Sequence, residues 1–131
     1  MKVKPKVGDA GQLRFTVADE HTITIADDPQ LAVLSTPSLI WFLEHAAREA
    51  LAPLLEAGET SVGTQVDVEH LAATPIGHAI ACIAKVIHVE GAAVTFQVSA
   101  SDQREVIARG VHKRRVVRCQ RFNEYVRKKL L

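Results

Sequence analysis

The chain has 131 residues, 47% of them hydrophobic and 24% charged, with a formal net charge of +1. That length and balance describe one folded domain, residues 1–131, and exclude a disordered chain. Near-neutral charge gives no overall attraction to nucleic acid or an anionic membrane, and two cysteines are too few for a disulfide framework.

Residues 1–11 read as a tail. Its opening, Met1-Lys2-Val3-Lys4-Pro5-Lys6, is basic but is not followed by the apolar core of a signal peptide. No apolar run reaches the roughly 20 residues of a membrane span. Cys82 and Cys119 lack metal-type spacing, so the expected compartment is a reducing cytoplasm. Leu13–Val17 and His21–Ile25 read as short strands, and Asp27-Asp28-Pro29 interrupts.

A long helix is expected from Ser35-Thr36-Pro37, where a hydroxyl residue caps and proline fits the first turn. Its end is expected near Ala57-Gly58, with glycine as C-cap. Ile40, Leu43, Ala47, Ala50, Leu51 and Leu54 recur at spacings of three and four, one face turned to a core. Trp41 and Phe42 fall off that stripe, which implies a helix wrapped over much of its circumference. Glu44 falls inside the stripe, toward one flank. An unpaired buried carboxylate is costly. Either Arg48 offsets it as an i,i+4 partner, or it reaches water at the stripe's edge, or it is held there for chemistry.

After Gly58 the pattern changes to period two. Val62, Thr64, Val66, Val68 and His70 are expected on one face of a strand, and Gly63, Gln65, Asp67 and Glu69 on the other. Thr74-Pro75-Ile76-Gly77 breaks it. Strands follow at Ile80–Val89, Val94–Val98 and Val106–Val117, with turns at Glu90-Gly91 and Ser101-Asp102. The basic segment 120–131 is expected to be helical. One long helix followed by an antiparallel meander is an α+β arrangement.

Thr36 at the helix start, Glu44 two turns along and His70 on an inward strand face can form a hydroxyl–carboxylate–imidazole group. Such a group supplies a nucleophile or water-orienting hydroxyl, a base and a proton carrier. Capping alone also explains Thr36, and a core histidine explains His70. No HExxH or CxxC motif and no glycine-rich phosphate loop is present, so no metal or resident cofactor is expected. The run His112-Lys113-Arg114-Arg115, with Arg118 and Arg121 beyond, reads as a solvated edge or as a clamp for an anionic group. Sparse aromatics argue against nucleic-acid binding.

Ser35-Thr36-Pro37, Glu44-His45-Ala46-Ala47, the stretch from Leu55 through Ser61-Val62-Gly63-Thr64, and Val68-Glu69-His70-Leu71-Ala72-Ala73-Thr74-Pro75-Ile76-Gly77 resemble the fluoroacetyl-CoA thioesterase-like family of hotdog-fold proteins. Gly91, Phe96, Asp102 and Gly110-Val111-His112 followed by Arg114 extend the resemblance over roughly residues 5–118. It implies a hotdog fold, a long central helix wrapped by a curved antiparallel sheet of about five strands. It implies a homodimer, with a tetramer of two dimers as the alternative, and active sites at the subunit boundary. From the charge and the lack of an apolar span, neither a membrane nor nucleic acid is expected as a partner. Thr36, Glu44 and His70 are the active group it implies, acting on a small or short-chain acyl-CoA thioester. CoA enters only as part of the substrate. Gly63 and Thr64 are candidate donors to the carbonyl oxygen, and Arg114 is a candidate for CoA phosphates. Residues 27–35 contain no aromatic side chain, so fluoroacetyl specificity is not implied. The competing readings are a non-catalytic acyl-CoA-binding or regulatory module and a hotdog dehydratase; the dehydratase's Asp-x-Asn-Pro-x-His motif is absent.

Overall fold

A computed structural model describes all 131 residues. In chain order the elements are β1 (Ala10–Thr16), β2 (Thr22–Ile23), β3 (Val33–Leu34), α1 (Thr36–Leu51), β4 (Glu59–His70), β5 (Ala79–Glu90), β6 (Ala93–Ser101), β7 (Val106–Arg118) and α2 (Cys119–Lys128). Five strands form one antiparallel sheet in the order β1-β5-β6-β7-β4, which curls around α1. This is the hotdog arrangement. A separate ribbon, β2 with β3, is tied to the body by a bridge from Val33 to Pro75.

Alternation explains the core. Ile80, Cys82, Ala84 and Val86 on β5 and Val94, Phe96, Val98 and Ala100 on β6 are buried at every second position. Leu39, Leu43, Ala46, Ala47, Ala50 and Leu51 of α1 pack on that face. Of the two aromatics off the predicted stripe, only Phe42 is covered. It stacks on Phe15 of β1 with ring centroids 3.6 Å apart, whereas Trp41 is 53% exposed.

Small residues set how closely α1 approaches β1. A Cβ added at Gly11 would collide with the backbone of Ala46 and Ala50. Backbone cannot rotate aside as a side chain does, so Gly11→Ala forces the helix off the sheet. Overpacking of this kind costs about 1–3 kcal/mol, which at a typical urea m-value lowers the unfolding midpoint by about 1 M.

Three boundaries differ from the sequence expectation, the first being the expected tail 1–11, which gives way to β1 at Ala10. The helix stops at Leu51 and passes into a 3-10 turn, Ala52–Leu54, because Pro53 lacks an N–H and clashes with the preceding turn. Gly58, at φ +85°, instead turns the chain into β4. The expected strand His21–Ile25 is reduced to Thr22–Ile23, since Asp19–His21 closes a 3-10 turn. The last expectation, a helical C-terminal segment, matches α2, which buries none of its residues.

Candidate active site

The start of α1 separates two hydroxyls by role. Ser35 is the N-cap, its Oγ accepting from the Ser38 N–H at 3.3 Å. Thr36 is therefore not the cap, and its hydroxyl is free for other work. It lies 2.8 Å from Nδ1 of His70. Nε2 of His70 is buried and has no hydrogen-bond partner within the chain. The two residues border an apolar cavity of about 290 Å³ between the β2–β3 ribbon and the segment after β4.

Glu44 lies elsewhere in the same chain. Eight residues beyond Thr36, it is displaced by about 12 Å along the helix axis. Its Oε1 would be 2.8 Å from a Cβ added at Gly63, and the same Cβ would be 3.2 Å from Cε1 of His112 and 3.5 Å from Nη1 of Arg114. No hydrogen bond or ion pair joins Glu44 to Arg48, so the expected helix pair is not formed; Arg48 instead contacts Nε2 of His45 at 3.4 Å. Nor does Glu44 bond to Thr36 or His70. The expected threesome is thus split within one chain into a Thr36–His70 pair and a separate carboxylate.

A β-bulge makes both halves face the helix. Gly63 and His70 are seven apart, an odd spacing that puts them on opposite faces of a regular strand. The pairing of β4 with β7 skips Thr64, from Gly63–Arg114 to Gln65–Lys113. That extra residue reverses the alternation. Gly63 then shares a face with buried Arg114, and His70 shares one with buried Ala108. The expected placement of Gly63 opposite His70 is corrected by this bulge. Thr64, at the bulge, is exposed, and its Oγ1 donates to the Lys113 carbonyl at 3.1 Å.

Arg114 is buried, 4% exposed, and this overturns both readings of its run for that residue. Its Nε and Nη2 donate to Ser61 Oγ and the Ser61 carbonyl at 2.9 and 2.8 Å, and Nη1 reaches Nε2 of His112 at 3.2 Å. A guanidinium so used, beneath α1, is not exposed as a phosphate clamp at the surface would be. Lys113 and Arg115, with Arg118 and Arg121 beyond, are the exposed cations of this run. Arginine only donates, so His112 accepts at Nε2 and its Nδ1–H donates to the Gln65 carbonyl at 2.9 Å. Burial, first, and the neighbouring Arg114 hold the His112 pKa below its ordinary value, against the pull of the Gln65 bond and Glu44. Burial likewise lowers that of Arg114, and Glu44 opposes it. The sequence gives Ser61 no role, and marks His112 only as part of the basic run and of the resemblance, not as a buried partner of Arg114. The available signal was that His112 and Arg114 alternate in phase with Ala108 and Val116.

Gly63 matters here for space rather than for φ. In Gly63→Ala the methyl must displace the Glu44 carboxylate, a flexible end, so the fold should survive. Misplacing a reacting group by about 1 Å can cost 10²-fold. We expect turnover to fall by about 10–10² with an unchanged melting temperature.

The family model described as fluoroacetyl-CoA-specific thioesterase matches residues 17–120. A fluoroacetyl-CoA thioesterase from Streptantibioticus cattleyicolor is 36% identical over 98% of this chain and 97% of its own length. A solved structure of the fluoroacetyl-CoA thioesterase FlK superposes with a TM-score of 0.89 at 34% identity, over 97% of this chain and 98% of that one; a variant of FlK has been solved with acetyl-CoA. A hot-dog-like protein from Thermanaerovibrio acidaminovorans, 26% identical, gives 0.84 over 94% and 91%. Matching over nearly the whole chain, in sequence and in fold, makes this protein a member of the fluoroacetyl-CoA-specific thioesterase family, a group of hotdog-fold thioester hydrolases.

Proposed function

We propose that the protein hydrolyses acyl-CoA thioesters to free acid and CoA, at sites assembled between two copies of the chain. The observation that carries this reading is an unmet need: His70 Nε2 is buried without a partner beside an apolar cavity. Buried polar atoms are normally satisfied, and an exception calls for a group from outside the chain.

β4 is an edge of the sheet, so its outer row of N–H and C=O groups is open to a second strand. Antiparallel pairing of two β4 edges about Val66 and Asp67 sets Gly63 of one copy opposite His70 of the other. Glu44 of one subunit then approaches the Thr36–His70 pair of its partner. A twofold axis makes two such sites per dimer.

In the reaction an oxygen attacks the thioester carbonyl carbon, the C–S bond breaks, and the CoA sulfur leaves and takes a proton. Glu44 serves as base for the attacking water, or attacks directly to form an anhydride that water then opens. Thr36 orients the attacking group, and His70 holds Thr36 through Nδ1 while Nε2 faces the reacting groups. Backbone N–H groups at Gly63 and the Thr64 bulge are the candidate donors to the developing oxyanion. The ring of FlK relatives supports CoA esters as the substrate class, since a variant of that enzyme has been solved with acetyl-CoA. Both cysteines are free thiols and no helix is long and apolar enough to cross a membrane, in keeping with action in the cytoplasm.

Release of free thiol from a panel of acyl-CoA esters tests the activity. Hydrolysis of at least one member supports it. Tight binding of CoA esters with no thiol release across the panel would instead make the protein a ligand-binding module.

A further inference from the structure

We infer that the substrate's acyl group is an uncharged aliphatic chain of about four to eight carbons, sized from the cavity beside Thr36 and His70, with Ile25 and Leu71 as specificity-determining residues. This rests on the hydrolytic reading above.

The cavity is a groove open to solvent, of about 290 Å³. Its apolar walls come from Ile23 and Val33 of the β2–β3 ribbon, from Ile25 just beyond it, and from Leu71 after β4. Thr36 and His70, hydrogen-bonded to each other, stand at its edge, so a thioester carbonyl placed there sends its acyl chain along those walls. A methyl group is close in size to a water molecule, whose share of liquid volume is about 30 Å³. A two-carbon acyl group therefore leaves most of this space unfilled. No Lys or Arg lines it, so a second carboxylate on the acyl group would lose water without gaining a partner. No phenyl or indole ring lines it either, and the walls are aliphatic.

The rim is wetter than apolar side chains favour. Ile25 is 74% exposed, Ile23 49% and Leu71 44%. An alkyl chain lying between them removes apolar surface on both sides from water, worth about 0.8 kcal/mol, or roughly 4-fold, per methylene.

The test is kcat/KM for acetyl-, butyryl-, hexanoyl-, octanoyl- and succinyl-CoA. We expect a rise of about 4-fold per added methylene up to six to eight carbons, on the order of 10² between acetyl and hexanoyl, with succinyl-CoA below butyryl-CoA. Ile25→Ser and Leu71→Ala should each compress the hexanoyl-to-acetyl ratio by roughly tenfold. Calorimetric affinities of the Glu44→Gln protein for hexanoyl- and acetyl-CoA give the same ratio without turnover. A flat or falling chain-length profile, or a ratio that neither variant changes, overturns the inference while leaving hydrolysis intact. Absence of thiol release overturns the hydrolytic reading, and the binding ratio then decides the acyl class alone.

Discussion

Glu44→Gln is expected to reduce turnover on every accepted acyl-CoA by about 10²–10⁴, the usual worth of a positioned base. The glutamine keeps the shape of the side chain but cannot accept a proton from water or form an anhydride. Glu44 makes no hydrogen bond within the chain and sits at the rim of the helix's packed face, so its removal costs the fold little. Stability should stay within about 0.5 kcal/mol, as for substitutions away from buried networks. The measurement is a thiol-release rate paired with a thermal melt. Wild-type turnover in Glu44→Gln would remove the carboxylate from the mechanism. Loss of turnover with a lowered melting temperature would make its role structural.

His70→Ala is expected to lower turnover by at least about 10², because it removes both the partner of Thr36 and the proton carrier. Its more telling use is in mixtures. If Glu44 of one subunit serves the Thr36–His70 pair of the other, a dimer of one Glu44→Gln and one His70→Ala chain has one intact site and one doubly damaged site. Unfolding the two inactive proteins together and refolding them should restore about a quarter of wild-type activity, since half the dimers are mixed and each has one of two sites. If the three residues act within one chain, every site in the mixture is damaged and no activity returns. The split seen in the single chain, with Thr36 held to His70 at 2.8 Å and Glu44 two turns away beside Gly63, favours the first outcome.

Much of this protein was legible in its residues because the signals were local. The hydroxyl–proline start of α1, the three-and-four spacing of its apolar face and the period-two strands each depend on neighbours in sequence. Those signals placed the long helix and the strands β4, β5, β6 and β7 close to where they lie. Thr36, Glu44 and His70 stood out as polar groups at core-facing or helix-start positions. The end of α1 was misplaced because glycine at 58 drew notice as a cap when proline at 53 had already stopped the helix.

Tertiary pairing decided the rest. Whether Gly63 and His70 share a face depends on the register of β4 against β7, and a bulge at Thr64 is set by the partner strand, not by the residues beside it. The fate of Arg114 was decided in the same way: a cation in a basic run looks solvated until the sheet curls and places it under α1, where Ser61 and His112 satisfy it. Sequence fixes which chemical groups the chain owns and its local periodicity; long-range strand registration fixes which of them meet.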